Sequence, residues 1–295
     1  MLPAMLERVF EKRLSIFGIA IALALGPACK RPSTPPEARE GAHATHSTDR
    51  AEDAAPQPDG AAPTLDASPP RCRAKIPVVA YWPGWTMGTL PPEDIAWDGL
   101  TDVVLFSLLP KGDGLDADVN ALSAERVRAS ILAARKHDVC VHVAIGGDMT
   151  AGIFAQATHQ VERIASYVAR FDLDGVVLDI EPLARTEAAF VSFVRELRPR
   201  VRTLALDIAP TKADVAKLPA LVPYLDRVDV MTYLGSPEAS RDANAAIEKL
   251  GFGGPVAMGA TAKAPLCSGP RFFWEMGAFC KNQPRPCPVA RVGCP

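Results

Sequence analysis

The sequence predicts an α/β fold: a compact parallel barrel of the (β/α)8, or TIM, type with an irregular or incomplete last βα unit. Two observations carry this expectation. Short, almost unbroken apolar runs recur from residue 78 onward, and the stretches between them repeat their apolar residues at helical spacing. Strands that read as continuous apolar runs are covered on both faces, and their alternation with helices makes the sheet parallel. A doubly wound open sheet shares that alternation, but no Gly-rich phosphate-binding turn follows any run.

The elements follow in chain order. Leu14 to Leu25 is an apolar run preceded by Arg8, Lys12 and Arg13, the pattern of a secretory signal. It is shorter than the roughly 20 residues of a membrane-spanning helix. Leu25-Gly26-Pro27-Ala28-Cys29 is similar to a bacterial lipobox, with Cys29 as the lipidated residue. Residues 1–29 are therefore expected to be a signal peptide, and the product to be exported, either held at the membrane surface by a lipid or secreted. Residues 30–72 hold eight prolines and a single large aliphatic residue, Leu65. Such a segment cannot offset its own ordering entropy, so a disordered linker is expected.

The barrel is assigned to residues 73–280. Its candidate strands are Val78–Trp82, Asp102–Leu108, Val139–Ile145, Gly175–Ile180, Thr203–Ile208, Val228–Tyr233 and Pro255–Met258, with Arg271–Phe279 as the candidate for an irregular eighth. Helices between them are marked by Val161, Ile164, Ala165 and Val168, and by Phe190, Val191, Val194 and Leu197. Ser236-Pro237-Glu238 opens a further helix with a cap and a proline at its first position, and Gly251 closes it. Residues 281–295 form an irregular Cys- and Pro-rich tail, either a disulfide-pinned cap or an atypical end.

Composition narrows the function. With 32 Lys and Arg against 34 Asp and Glu, there is no basic surplus for phosphate contacts, which excludes a nucleic-acid partner of the usual kind. Apart from Cys29, six of the 7 cysteines remain, an even set that points to disulfides in an exported chain. Their pairing stays open among about 15 connectivities. No C-x-x-C pair, nucleophile elbow or metal-spaced His pair occurs. His142, amid apolar neighbours, reads as a satisfied core histidine, and His137 and His159 as surface residues.

The chemistry concentrates in Asp174-Gly175-Val176-Val177-Leu178-Asp179-Ile180-Glu181. Residues two apart on a strand share a face, so Val177, Asp179 and Glu181 point one way and Val176, Leu178 and Ile180 the other. The second set is aliphatic, as a surface against helices must be. The first turns acidic toward the C-terminal end, where barrels carry their chemistry. Adjacent carboxylates push one pKa up, which keeps a carboxylic acid protonated near neutral pH. Glu181, the outer of the two, is the natural proton donor. By the same spacing Asp229, Met231 and Tyr233 share a face. Trp85, at the exit of the first strand, is placed to stack on a sugar or to pack on a neighbouring loop, and Asp148 either touches substrate or caps a helix.

This stretch resembles the fourth-strand signature of the family 18 glycoside hydrolases, the chitinase-like barrels. Val79-Ala80-Tyr81-Trp82-Pro83-Gly84-Trp85, Phe106, Ala144-Ile145-Gly146-Gly147 and Asp226 through Met231-Thr232-Tyr233 are similar, in order, to that family's first, second, third and sixth strands. The resemblance implies hydrolysis of β-linked N-acetylglucosamine-containing glycans with a nucleophile supplied by the substrate, hence no cofactor and no metal. It implies Glu181, Asp179 and Tyr233 as catalytic residues. It implies Tyr81, Met231 and Asp174 as substrate-binding residues, with Trp274 a candidate sugar platform. Trp85, by its place at the strand exit, and Asp229, by the face it shares with Met231 and Tyr233, are further substrate-binding candidates. The chain also departs from the family. Val177 replaces an Asp that exchanges a proton with the residue at Asp179, Ala144 replaces a Ser, and Leu234 replaces an Asp. These departures keep a second expectation open, a weakened or inactive glycan-binding protein on the same barrel. A third, a metal held by Asp179 and Glu181, lacks clustered histidines.

Overall fold

A computed structural model of the protein describes residues 76–111, 114–118, 120–148, 157–186, 188–260 and 266–291. The expected signal segment, the linker, Cys29, Cys72 and Cys294 lie outside the described residues. The strands are β1 (Val78–Pro83), β2 (Asp102–Lys111), β3 (Gly114–Asp116), β4 (Cys140–Asp148), β5 (Gly175–Glu181), β6 (Thr203–Ile208), β7 (Arg227–Val230), β8 (Val256–Ala260) and β9 (Arg271–Phe273). All but β3 are parallel, and β1 pairs with both β2 and β9, which closes the barrel with eight parallel strands. Strand β3 is a short antiparallel return on the end of β2.

Helices α1 (Ala124–Arg135), α2 (Ala157–Phe171), α3 (Ala188–Leu197), α4 (Lys212–Val215), α5 (Pro237–Lys249) and α6 (Met276–Cys280) accompany the strands. Each longer helix buries the stripe its periodicity marks: Ile164 and Val168 on α2, Phe190, Val194 and Leu197 on α3. The Ser236 hydroxyl accepts from Ala239 N–H at 3.1 Å, so the expected cap and proline do open α5, and Gly251 ends it at φ +69°.

Strand alternation sorts side chains into two cores. Val176, Leu178, Ile180, Leu204, Leu206, Val228 and Val230 face the helices in the larger one. Val79, Tyr81, Val104, Phe106, Ala144, Val177, Ala205, Met231 and Phe272 fill the barrel interior. Trp82 faces outward, fully buried against Trp97 with ring centroids 6.0 Å apart, so of the two tryptophans at the end of the first strand only Trp85 remains exposed.

Two expected strands end early. The run Val228–Tyr233 is a strand only to Val230. Thr232 then donates its hydroxyl to Gly259 O at 2.5 Å, and Thr232–Leu234 forms a 3-10 turn that carries Tyr233 to the end of the barrel. The run Arg271–Phe279 is a strand only to Phe273, because Glu275 adopts φ +56° and redirects the chain into α6. The last βα unit is thus short, yet it closes the barrel.

The tail is pinned rather than loose. Cys280 and Cys287 form a disulfide with a Cα–Cα distance of 5.5 Å. Cys287 N–H donates to Asp94 O at 2.7 Å and Cys287 O accepts from Ala96 N–H at 2.9 Å, so the tail continues onto the segment after β1. Cys140 and Cys267 each take part in a disulfide as well.

A candidate active site at the C-terminal end of the barrel

Asp179 and Glu181 lie on the inward face of β5 at its C-terminal end, with Asp179 3% exposed and Glu181 half-buried. A glycine of β4 makes room for Asp179. Gly146 pairs with Asp179 in register and sits at φ +131°, and a Cβ there would lie 2.0 Å from the Asp179 carbonyl oxygen. No L side chain fits that backbone without strain. Gly146→Ala is expected to cost about 1–3 kcal/mol and to displace Asp179; thermal unfolding of the purified variant checks it.

Beside Asp179 in the sheet stands Asp207 on β6, and beside that Asp229 on β7. All three are buried, at 3%, 3% and 0% exposure. Buried carboxylates need partners. The Tyr81 hydroxyl reaches across the interior and donates to Asp207 Oδ1 at 2.5 Å and to Asp229 Oδ2 at 3.1 Å. Arg227, two residues before Asp229 on the same face, grips it from Nε at 2.8 Å and from Nη2 at 3.0 Å. Its Nη1 lies 3.4 Å from Asp102 Oδ1, and Asp102 in turn meets His142 Nε2 at 2.7 Å. A polar chain therefore runs from the N-terminal end of the barrel up to the carboxylates.

The electrostatics follow from this packing. Burial, then the Asp179 and Asp229 charges, push the Asp207 carboxyl well up. Burial, then Asp207 and Asp229, push the Tyr81 phenol up, so it stays a donor. Burial raises the Asp229 carboxyl while Arg227 pulls against it. Burial also opposes the Arg227 charge, but Asp229 and Asp102 outweigh it and push the guanidinium up. Burial alone would raise Asp102; the hydrogen bond from His142 and the Arg227 and His142 charges hold it instead at about 2.

Aromatic rings surround the same end. Trp274, just past β9, packs on Tyr81 at 5.7 Å and on Phe106 at 4.7 Å, and Phe106 meets the edge of Trp85 at 5.9 Å. Trp85 is 47% exposed. Tyr233 meets Phe272 edge-on at 6.1 Å, a contact that Gly259 permits because a Cβ there would lie 3.0 Å from the Tyr233 ring.

The structure thus brings Glu181, Asp179, Tyr233, Tyr81, Met231 and Trp85 to one end of the barrel. Two expected substrate-binding residues are elsewhere. Asp174 precedes β5, at the opposite end, where its Oδ2 accepts from Val141 N–H at 2.9 Å and ties two strands together. Asp229 is fully buried, with both oxygens engaged by Arg227 and Tyr81, so it supports the site from below. The Asp148 side chain lies outside the described residues. His142 is a core histidine as expected but is only half satisfied: its Nε2 meets Asp102, while its buried Nδ1 has no hydrogen-bond partner among the described residues. His137 and His159 are exposed.

Sequence reasoning missed Asp207, Arg227 and Asp102. The signal was available: each interrupts or borders an apolar run at inward parity. Asp102, Cys140 and His142 place ligand-type atoms within 4.8 Å of one another, but Cys140 is oxidised and Asp102 is already held by His142 and Arg227, which makes a poor metal set. A hollow of about 170 Å³ between Thr186–Val191 and Ala216–Leu221 is lined by none of the carboxylates.

No match was found among curated proteins. Among solved structures, a multi-modular cell-surface chitinase from Paenibacillus aligns with TM-score 0.53 at 15% identity, over 63% of this chain and 23% of its own. A chitinase from Bacteroides thetaiotaomicron aligns with TM-score 0.56 at 15% identity, over 64% and 68%. A plant class V chitinase mutant from Cycas revoluta, solved in complex with (GlcNAc)3, aligns with TM-score 0.51 at 19% identity, over 63% and 68%. The chain therefore spans under a quarter of the Paenibacillus protein and about two thirds of the other two. At these identities the likeness shows the barrel fold. The family model for glycosyl hydrolases family 18 matches residues 77–272, nearly the whole described barrel, and the chain belongs to that family.

Proposed function

We propose that the protein hydrolyses β-linked N-acetylglucosamine-containing glycans by a substrate-assisted, retaining mechanism. One observation carries the reading: a half-buried Glu181 stands above a buried Asp179 on the inward face of β5, with Tyr233, Trp274 and Trp85 around the same opening. Glu181 protonates the glycosidic oxygen as the bond breaks. The acetamido oxygen of the sugar attacks the anomeric carbon, which spares the protein a nucleophile. Asp179 accepts the acetamido N–H and opposes the positive charge of the oxazolinium ion. Tyr233 donates its hydroxyl to the acetamido oxygen. Glu181 then takes a proton from the water that opens the ring, restoring itself. Trp274 supplies a flat apolar face for the sugar, Tyr81 and Met231 back the pocket, and Trp85 extends it. The reading needs no cofactor or metal, since the nucleophile belongs to the substrate. The paired cysteines fit an oxidising compartment, in line with an exported protein whose lipidated Cys29 anchors it to a membrane.

A second reading, a glycan-binding protein on the same barrel, has its own support. Val177 is flanked in register by Ala144 and Ala205, so the rung beneath Asp179 offers no proton, and Leu234 is 51% exposed at the mouth. Release of a fluorogenic leaving group from an N-acetylglucosamine oligomer separates the two. Hydrolysis predicts turnover by the wild-type protein; binding without turnover supports the second reading.

A further inference from the structure

The interior holds one carboxyl that neither the fold nor the reaction above has used. Asp207 is the register neighbour of Asp179, both side chains point inward, and both are buried. Glu181 shares the inward face of β5 with Asp179, and Asp207 meets groups from two further strands. From β1 comes the Tyr81 hydroxyl, which donates to Asp207 Oδ1 at 2.5 Å; from β7 come Asp229 and Arg227. Arg227 is spent on Asp229 at 2.8 Å and 3.0 Å and on Asp102 at 3.4 Å, so its charge is already matched by two carboxylates. No cation remains among the described residues facing Asp207 to balance a third and a fourth carboxylate. Two adjacent buried carboxyls in that position cannot both ionise. One Asp207 oxygen accepts from Tyr81, and the charge of Asp179 on the neighbouring strand disfavours ionisation of Asp207.

We propose that Asp207 and Asp179 share a single proton, resident on Asp207, which leaves Asp179 as the carboxylate presented to the substrate. Asp207 is thereby a positioning residue: it acts on the sugar only through Asp179. The pair carries one proton and one negative charge throughout the cycle, and the proton donated to the glycosidic oxygen comes from Glu181. The assignment rests on the hydrolase reading for its use in catalysis, but the shared proton itself does not. It also accounts for an inward Val177: the proton-holding partner of Asp179 stands beside it on β6 instead of below it on β5. The burial of Asp207 and the charge of Asp179 push the Asp207 carboxyl in the direction this requires.

The test is a carboxyl 13C NMR titration of the full chain labelled at aspartate, with Asp207→Asn to assign the signal. The expected result is an Asp207 carbon in the protonated position at neutral pH, whose titration moves to lower pH in Asp179→Asn. An Asp207 that is ionised at neutral pH, or whose titration ignores Asp179→Asn, overturns the proposal. Thermal melts give a second readout. An acid held protonated by the fold stabilises it fully at low pH and progressively less as pH rises. The melting temperature of Asp207→Asn should therefore gain on the wild type from acidic to neutral pH; a difference constant with pH indicates a structural residue only and contradicts the pairing. Turnover of the oligomer is followed in parallel. A shared proton without turnover removes the hydrolase reading and leaves the pair, and turnover with an ionised Asp207 does the reverse.

Discussion

Glu181→Gln is expected to fold like the wild type and to lower turnover of an N-acetylglucosamine oligomer by about 10²–10⁴-fold, the range for a positioned proton donor. The substitution changes one oxygen to an amide nitrogen and leaves size and polarity nearly intact. Glu181 is half-buried at the end of β5 and lies outside the Tyr81–Asp207–Asp229–Arg227 network, so its loss leaves those contacts in place. What the variant lacks is a proton to give. The leaving sugar must then depart as an alkoxide, and the loss should fall on kcat more than on KM, because the missing interaction belongs to the transition state. Steady-state kinetics with circular dichroism as the fold control checks this. A variant with unchanged kcat removes Glu181 from the role.

Arg227→Leu is expected to have the largest effect on stability. Arg227 is 4% exposed and holds Asp229 in a two-pronged grip while also touching Asp102. Removing one partner of such a pair leaves carboxylates buried without a counter-charge, which costs about 3–5 kcal/mol. Arg227→Lys does not restore the grip, since an ammonium lacks the planar fork that engages both Asp229 oxygens. A urea-denaturation midpoint shifted strongly downward with an unchanged slope is the expected result for Arg227→Leu. The double variant Arg227→Leu, Asp229→Leu should recover part of the loss, because it removes the orphaned charge with its partner. Asp102 gives the same network a pH signature. Its folded pKa of about 2 lies below the ordinary 3.8, so its stabilisation is complete above the usual carboxylate range and disappears as pH falls toward 2. The shift corresponds to about 2 kcal/mol.

How much of this was legible beforehand follows from what each residue does to a pattern. Val176, Leu178 and Ile180 announce a strand because both faces of β5 are buried, and Asp179 and Glu181 stand out against them as polar residues at inward positions. The closure of the barrel was less legible. β9 has three residues, too few for periodicity to show, and its pairing with β1 joins Val78 to Arg271, at opposite ends of the barrel sequence. The interior network was missed for a related reason. Inward parity marks Asp207, Arg227 and Asp102 one by one, but they come from different strands, and the cross-barrel contacts of Tyr81 and Arg227 that join them are encoded in no local spacing. Asp174 misled for the opposite reason: it stands beside the acidic pair in sequence, but a strand of seven residues carries it to the far end of the barrel.

The most direct test of the account is the anomeric form of the first product released from a β-linked N-acetylglucosamine oligomer, followed by proton NMR in real time. Attack by the substrate's own acetamido group, followed by water, inverts the anomeric carbon twice. The account therefore predicts that the β-anomer appears first and converts to the equilibrium mixture afterwards. Initial release of the α-anomer would show a single direct displacement by water and would contradict the mechanism assigned to Glu181 and Asp179.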